Sequence, residues 1–127
     1  MTDELKPRGT LALQTVAMPA NTNANGDIFG GWVVSHMDLA AGIAARLRAR
    51  SRVVTVAIDS LVFIKPVYVG DTICCYADIT KVGRTSMKIW IEVWTMSIAD
   101  ENIRKVAEGM FTFVAINEER KTHPVDR

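Results

Sequence analysis

One acidic side chain stands inside the most hydrophobic stretch of the sequence. Asp38 lies within residues 31–48, GWVVSHMDLAAGIAARLR, which predict a long helix that is apolar on nearly all sides. Aspartate has a poor helix propensity and is costly to bury without a partner. One interpretation is a solvent-facing stripe with Ser35, Gly42 and Arg46. The other is a carboxylate withdrawn from water, which suits a general base or a nucleophile.

The loop before this helix, residues 21–31 (NTNANGDIFGG), is rich in residues with special backbone habits. Asn23 and Asn25 can form Asx-turns or adopt a left-handed backbone. By the same logic, Asp27 is expected to cap the helix or to lie in its first turn. Turn formation explains at least one of the asparagines, and a polar contact to a ligand is the alternative.

Two adjacent glycines, Gly30 and Gly31, mark the start of the predicted helix. Glycine permits a close approach of the backbone to a ligand, and the first N–H groups of a helix have no internal partner. Those groups can donate to an oxygen that gains negative charge during a reaction. A flexible turn is the alternative, and the pair points to chemistry only in combination with Asp38.

Two basic clusters follow the helix. The first combines positive charges with hydroxyls on a predicted hairpin: Arg84, Thr85, Ser86 and Lys88. These groups can hold phosphate, although a solvated turn explains them equally well. The second is a run of arginines at the helix end: Arg46, Arg48, Arg50 and Arg52. Complementing the helix dipole and keeping the surface hydrated are sufficient reasons for that run.

The composition is that of an ordinary globular protein. The chain has 127 residues, of which 49% are hydrophobic and 23% charged, and this predicts one domain over residues 1–127. The net charge of +1 gives no sign of a nucleic-acid or membrane partner. The first residues lack the apolar segment of a signal peptide, and no apolar run approaches the ~18 residues of a membrane span. We therefore expect a cytoplasmic protein.

The cysteines and histidines do not predict a metal site. Cys74 and Cys75 are adjacent, so on a strand they point to opposite faces and are expected to be buried thiols without a disulfide. The two histidines, His36 and His123, are far apart in the sequence.

The remaining sequence is typical of long strands, predicted at residues 9–16, 53–64, 72–81, 85–96 and 103–116. Connections of hairpin length predict antiparallel pairing, and the fold class is α+β with the helix on one face of the sheet. A loose arm (1–8) and a fraying polar tail (117–127) are expected at the ends. Because long strands would leave a sheet edge exposed, we expect a homodimer or a larger assembly.

Four segments carry a resemblance to a known family. The segments are AMPANTNANGDIFGGWVVSHMD at 17–38, VVTVAIDSLVFIKPVYVGD at 53–71, VGRTSMKIWIEVW at 82–94 and FTFVAI at 111–116. In this order they resemble the hotdog-fold acyl-CoA thioesterases, most closely the YciA type. The resemblance implies an antiparallel sheet of five to six strands wrapped around a central helix. It also implies dimers with a continuous sheet, assembled into a hexamer.

The resemblance further implies a reaction and its residues. The reaction is hydrolysis of acyl-CoA to a free acid and CoA, without a metal or cofactor. The catalytic acid falls on Asp38, the loop asparagine on Asn23, and the glycines that present N–H groups to the thioester carbonyl on Gly30 and Gly31. The segments expected to contact CoA supply Thr55, Ala57, Asp59, Ser60, Arg84, Thr85, Ser86 and Lys88.

Helix geometry adds a constraint. Gly31 and Asp38 are seven residues apart, which is roughly 10 Å along a helix. One thioester carbon cannot meet both directly, so either the substrate lies along the helix or Asp38 acts with the loop of a neighbouring subunit. We favour the second arrangement.

Two rival functions remain. An acyl dehydratase usually pairs a histidine with a carboxylate, but His36 and Asp38 are about 200° apart around the helix. A non-catalytic acyl-CoA-binding protein is the other alternative, and only an assay separates it from an enzyme.

Overall fold

A computed structural model describes residues 6–97 and 100–126. Its elements in chain order are β1 (Thr10–Val16), a short 3-10 turn (Pro19–Asn21), α1 (Gly30–Ala49), β2 (Arg52–Phe63), β3 (Thr72–Val82), β4 (Ser86–Ser97) and β5 (Asp100–Ile116). The predicted helix and the five predicted strands are confirmed, with ends that move by only a few residues.

The strands form one antiparallel sheet in the order β1-β3-β4-β5-β2. The expected hairpin pairing is wrong for β2 and β3, because β2 pairs with β5 and the chain then crosses to the other side of the sheet. The connection pairs instead with the loop before the helix: Ile28 N–H donates to Val67 O, and Gly70 N–H donates to Ala17 O. The buried Val67 side chain fixes this path.

Helix α1 packs on one face of the sheet, as expected. The alternation of β4 explains why: Met87, Ile89, Ile91 and Val93 are fully buried and form the core with the helix. The intervening residues of β4 point to the opposite face, which we call the outer face. No helix of the described residues is long and apolar enough to cross a membrane.

Apolar side chains of β2 and of α1 stay exposed in the single chain. Edge strand β2 leaves Val54, Val56 and Ile58 exposed. On α1, Leu39 and Leu47 are 55% and 74% exposed, so part of the apolar surface of the helix is left uncovered in the single chain. An unpaired edge strand and an apolar helix face are both surfaces that a second protein chain can cover.

The described parts of the arm and the tail are more ordered than expected. Residues 1–5 of the arm and Arg127 of the tail lie outside the described residues. Arg8 is fixed, because its Nε donates to Asp78 Oδ2 at 2.6 Å. The tail folds back: Val125 is buried and its N–H donates to Arg84 O, and Asp126 accepts two hydrogen bonds from Arg48.

The outer face holds a buried carboxylate. Glu92 is 1% exposed and accepts hydrogen bonds from Trp90 Nε1 at 2.8 Å, Trp94 Nε1 at 2.9 Å and the Arg8 N–H at 3.1 Å. Lys105 Nζ lies 3.5 Å away. Burial alone would raise the pKa of Glu92, but these donors together with the lysine charge hold that pKa below its ordinary value.

The two thiols lie on opposite faces, as expected, and both are free. Cys75 belongs to the core, whereas Cys74 is opposite Trp94 and accepts a hydrogen bond from Gln14 Nε2. Burial, and to a smaller extent the charge of the adjacent Cys74, raises the pKa of the Cys75 thiol to about 12. Cys75 is therefore a protonated core residue at neutral pH.

Candidate active site

Asp38 is held by a neighbouring strand. The Thr55 hydroxyl on β2 donates a 2.6 Å hydrogen bond to Asp38 Oδ1. Asp38 is half-buried, whereas Ser35 and Arg46 on the same helix are exposed. The carboxylate is therefore turned towards the sheet and has a fixed partner, which a plain solvent-facing stripe would not provide.

An open groove of about 250 Å³ runs along the helix beside this carboxylate. The apolar side chains of Ile43, Val53 and Phe113 form part of its walls beside Gly42, while Arg46 stands at the far end. Phe113 reaches Gly42 closely: a Cβ on that glycine would lie 3.5 Å from the ring. A chain-like ligand can thus lie against Asp38 without meeting another charge before Arg46.

The loop before the helix is organised by Asn23. Its Oδ1 accepts hydrogen bonds from the N–H groups of Asn25 at 2.8 Å and Asp27 at 3.2 Å, which confirms the predicted Asx-turn. This arrangement leaves the Nδ2 amide group to donate to a ligand. The expected helix-capping role of Asp27 is wrong, because the helix is preceded by Phe29 and has no side-chain cap.

Gly30 and Gly31 are the first two residues of α1. The Phe63 ring stands over Gly30 so closely that a Cβ there would lie 3.2 Å from it. A side chain at position 30 would therefore require the exposed Phe63 ring to shift by a few tenths of an ångström. Because no side chain caps the helix, the first N–H groups point outward from its N-terminus.

Asn23 and Gly30 line a second hollow of about 420 Å³. Other walls come from Phe63, Lys65 and Pro66, which sequence reasoning did not assign to the site. Lys65 is the notable omission, since it brings a positive charge to the end of the helix that already favours anions. Its only sequence signal is its place before Pro66.

The hollow at the helix N-terminus and the groove at Asp38 share no lining residue. One chain therefore presents the predicted carbonyl-binding groups and the predicted carboxylate at separate places. This agrees with the separation of roughly 10 Å expected from the helical rise.

The residues predicted to contact CoA divide between two faces of the sheet. Phe111 of β5 lies in the core, so its neighbours Met110 and Thr112 point to the outer face. A register shift follows Thr55, after which Ala57 lies opposite Thr112 and Asp59 opposite Met110. Directly opposed residues share a face, so Ala57 and Asp59 are turned away from Asp38.

Lys88 and Ser60 are also separated from the groove. Lys88 Nζ donates to Thr112 Oγ1 at 3.4 Å on the outer face. Ser60 lies at an irregularity in the pairing of β2 with β5 and has a left-handed backbone with φ 56°. Neither side chain is brought to Asp38 within the single chain.

The hairpin residues Arg84, Thr85 and Ser86 lie at the end of the sheet where β5 finishes. Thr85 O accepts a 2.8 Å hydrogen bond from the Ala115 N–H. The Arg84 side chain is exposed, and its carbonyl is tied to the tail. The tail pairs in turn with Arg48 of the helix, so the hairpin and the end of α1 are neighbours.

His36 is directed away from the carboxylate. Its ring lies 4.2 Å from the Trp32 ring, and Nδ1 donates to Trp32 O at 2.9 Å. The histidine-carboxylate pair that a dehydratase would need is thus not formed here. Within residues 6–97 and 100–126, no cluster of three or more His, Cys, Asp or Glu side chains is placed to hold a metal ion.

Comparison with known proteins identifies the family. Residues 25–100 match the thioesterase superfamily. The acyl-CoA thioester hydrolase YciA of Salmonella typhimurium is 49% identical over 122 residues, which cover 94% of this chain and 92% of that protein.

Two solved structures have the same architecture. A hexameric thioesterase from Yersinia pestis is 46% identical with a TM-score of 0.92, covering 96% of this chain and 100% of that one. A hexameric hotdog fold thioesterase of Campylobacter jejuni is 39% identical with a TM-score of 0.86, covering 91% and 90%. The chain therefore belongs to the thioesterase superfamily and has the hotdog fold.

Proposed function

We propose that the protein hydrolyses acyl-CoA thioesters to a free carboxylic acid and CoA. The observation that carries this proposal is the Asp38 carboxylate, held by Thr55 beside an open groove. The relative from Salmonella typhimurium, which is named an acyl-CoA thioester hydrolase, supports the same reaction. CoA enters as part of the substrate, and the proposed reaction needs no other cofactor.

The carbonyl oxygen of the thioester gains negative charge when its carbon is attacked. In this proposal the N–H groups of Gly30 and Gly31 donate to that oxygen, and the Asn23 amide assists. Donors fixed at a helix N-terminus need no reorganisation during the reaction, and the dipole favours the developing charge.

Asp38 can act in two ways. As a general base it takes a proton from water while the water oxygen attacks the carbonyl carbon; the C–S bond then breaks and the proton passes to the sulfur. As a nucleophile it attacks the carbon itself, expels the CoA thiolate and forms an anhydride that water hydrolyses. Single turnover in oxygen-18 water tests the second route, because label enters the Asp38 carboxyl when water opens the anhydride at the Asp38 carbon.

We further propose that each site is shared between two chains. Asn23, Gly30 and Gly31 of one chain would act with Asp38 of the partner subunit. The separation of the two hollows within one chain supports this arrangement, because neither holds both sets of groups. The exposed β2 edge supports it as well, since pairing of two such edges makes one continuous sheet.

A hexamer built from three such dimers is the proposed assembly. The relatives from Yersinia pestis and Campylobacter jejuni are described as hexameric. An edge-to-edge contact is two-fold and closes at a dimer, so a hexamer needs a second surface.

Release of free thiol from a panel of acyl-CoAs tests the proposed reaction. We expect Asp38→Asn to lower kcat by about a thousandfold, within the range typical of a lost general base, while CoA still binds. Asp78→Asn makes the same chemical change in an exposed pair with Arg8 and should stay within about twofold of the wild type. Full activity of Asp38→Asn would refute the role of Asp38. Binding without any turnover in the wild type would identify an acyl-CoA-binding protein instead.

A further inference from the structure

The arginines at the end of α1 have different surroundings. Arg48 is engaged, because both of its terminal nitrogens donate to Asp126. Arg46 and Arg50 are exposed, and within residues 6–97 and 100–126 neither forms an ion pair. Favourable interaction with the helix dipole and the pair with Asp126 explain Arg48. They do not explain the positions of Arg46 and Arg50.

Arg46 joins two hollows. It stands at the far end of the groove that begins at Asp38, and it also lines a hollow of about 320 Å³ together with Arg50 and Ser51. Asp38 and Arg46 are eight residues apart, which is roughly 12 Å along the helix. A path from the carboxylate, past Gly42, therefore ends at Arg46, beside a hollow that a second arginine also lines.

Two residues on this path are unfavourable choices for their local structure. Gly42 lies inside a helix, where alanine would be more stable, and the 3.5 Å distance from a built Cβ to Phe113 leaves room for a methyl group. Arg50 ends the helix with a left-handed backbone at φ 54°, a position that glycine occupies without strain. Folding alone explains neither residue, and such exceptions are concentrated at functional sites.

The positive charges of Arg46 and Arg50 indicate which part of the substrate lies along this path. An acyl chain carries no group that two unpaired guanidinium groups would attract, whereas the CoA arm ends in phosphates. The C-terminal end of a helix repels anions, so side-chain donors are needed for phosphate to bind there. The Arg84 hairpin lies at the same end of the molecule, because the tail connects it to Arg48.

We propose that the groove between Asp38 and Arg46 receives the pantetheine arm of CoA, and that Arg46 and Arg50 bind its phosphates. This inference rests on the proposed acyl-CoA hydrolysis, and it identifies the direction of the substrate along α1. The missing side chain of Gly42 makes room for the arm where it passes over Phe113. The acyl chain then extends away from Asp38 on the other side.

Calorimetric titration of the full-length protein with CoA and with pantetheine, which lacks the phosphates, tests the inference. We expect Arg46→Gln to raise the Kd for CoA about tenfold, as for one lost charge-assisted contact, and to leave the Kd for pantetheine unchanged. Arg50→Asn should act in the same direction, and asparagine tolerates the left-handed backbone there. Arg48→Gln removes the same charge from the same turn and is the matched control, with an expected change in both Kd values below about twofold.

Three results would overturn the inference: CoA binding by Arg46→Gln and Arg50→Asn at wild-type affinity, equal losses in Arg48→Gln, or equal losses for CoA and pantetheine. These outcomes concern binding alone. A wild-type protein that binds CoA as described but releases no thiol from acyl-CoAs would overturn the proposed reaction and leave the phosphate site in place. A wild-type protein that hydrolyses acyl-CoA, with unchanged CoA affinity in both variants, would overturn only the phosphate site.

Discussion

The Thr55 hydroxyl donates to Asp38 Oδ1 at 2.6 Å, across the 17 residues that separate a strand position from a helix position. A hydroxyl has one O–H group and can donate to only one oxygen of this carboxylate. The bond therefore fixes the rotamer of Asp38 and leaves Oδ2 as the oxygen available to water or to a thioester carbon. Thr55 acts in this scheme as a positioning residue rather than as a contact to CoA.

Two substitutions of Thr55 test the hydroxyl group and the shape of the side chain separately. Thr55→Val keeps the branched side chain and removes the donor, so we expect kcat to fall about tenfold to a hundredfold, as for one lost hydrogen bond to a charged group. KM should change little, because the groove walls stay in place. Thr55→Ser retains the hydroxyl and should recover most of the rate; failure of serine to do so would contradict the positioning role.

Mixed assemblies test whether sites are shared. Asn23→Ala and Asp38→Ala chains are each expected to be nearly inactive alone. After co-refolding, a dimer of one chain of each kind contains one site with neither defect, so about a quarter of the wild-type activity should return if chains pair at random. Mass spectrometry of tagged chains verifies the mixing. Verified mixed dimers without activity would mean that each site belongs to a single chain.

Gly42 offers a matched pair of substitutions. Gly42→Ala should raise the free energy of unfolding by about 0.5–1 kcal/mol, because alanine is the better helix former and its methyl group fits against Phe113. Gly42→Leu extends into the groove and should lower kcat/KM at least tenfold for both acyl-CoA and acyl-pantetheine. Urea unfolding and thiol release measure the two effects. An active leucine variant would show that the substrate does not pass this residue.

Protonation of Glu92 should account for part of the stability that the fold loses in acid. Its folded-state pKa is lowered, so its contribution to stability is complete above the ordinary glutamate pKa of about 4.3 and is lost as the pH falls through the lower folded value. At pH 7 we expect Glu92→Gln to lower the free energy of unfolding by about 2–3 kcal/mol, because buried donors lose their charged acceptor.

The difference between wild type and Glu92→Gln should therefore shrink below about pH 4. Urea unfolding at a fixed protein concentration, from pH 7 to about pH 3, measures it. A difference that stays constant over this range would mean that the charge of Glu92 contributes nothing. Asp78→Asn, in an exposed pair with Arg8, should cost less than about 1 kcal/mol at any of these pH values.

The elements were predictable because each repeats a local signal. In β4 the period-two pattern of Met87, Ile89, Ile91 and Val93 corresponds to the buried face. The helix was evident from its alanines and its length. Local patterns do not record which strands pair, however, so the turn residues near Gly70 predicted a hairpin where the chain crosses over. The pairing of Val67 with Ile28 decides that path, and it joins distant parts of the sequence.

The candidate site was predictable to the same extent. Asp38 stood out because a charge interrupts an apolar helix, and Asn23 because its loop needs an Asx-turn. Thr55 was expected only as a CoA contact, since nothing in its own neighbourhood indicates a partner on α1. Ala57 and Asp59 point to the outer face because a register shift in β2 follows Thr55. A bulge of one residue leaves no clear signal in the sequence, so this change of face could not be predicted.

The folded-back tail contributes more to the structure than its polar composition indicates. Val125 and Asp126 hold the Arg84 hairpin and Arg48 together. A premature stop codon soon after Ile116 would leave the helix and every strand complete, yet it would release the hairpin and add Arg48 to the unpaired cations. Loss of the tail would thus alter the charge beside the groove while the helix and the strands remained complete.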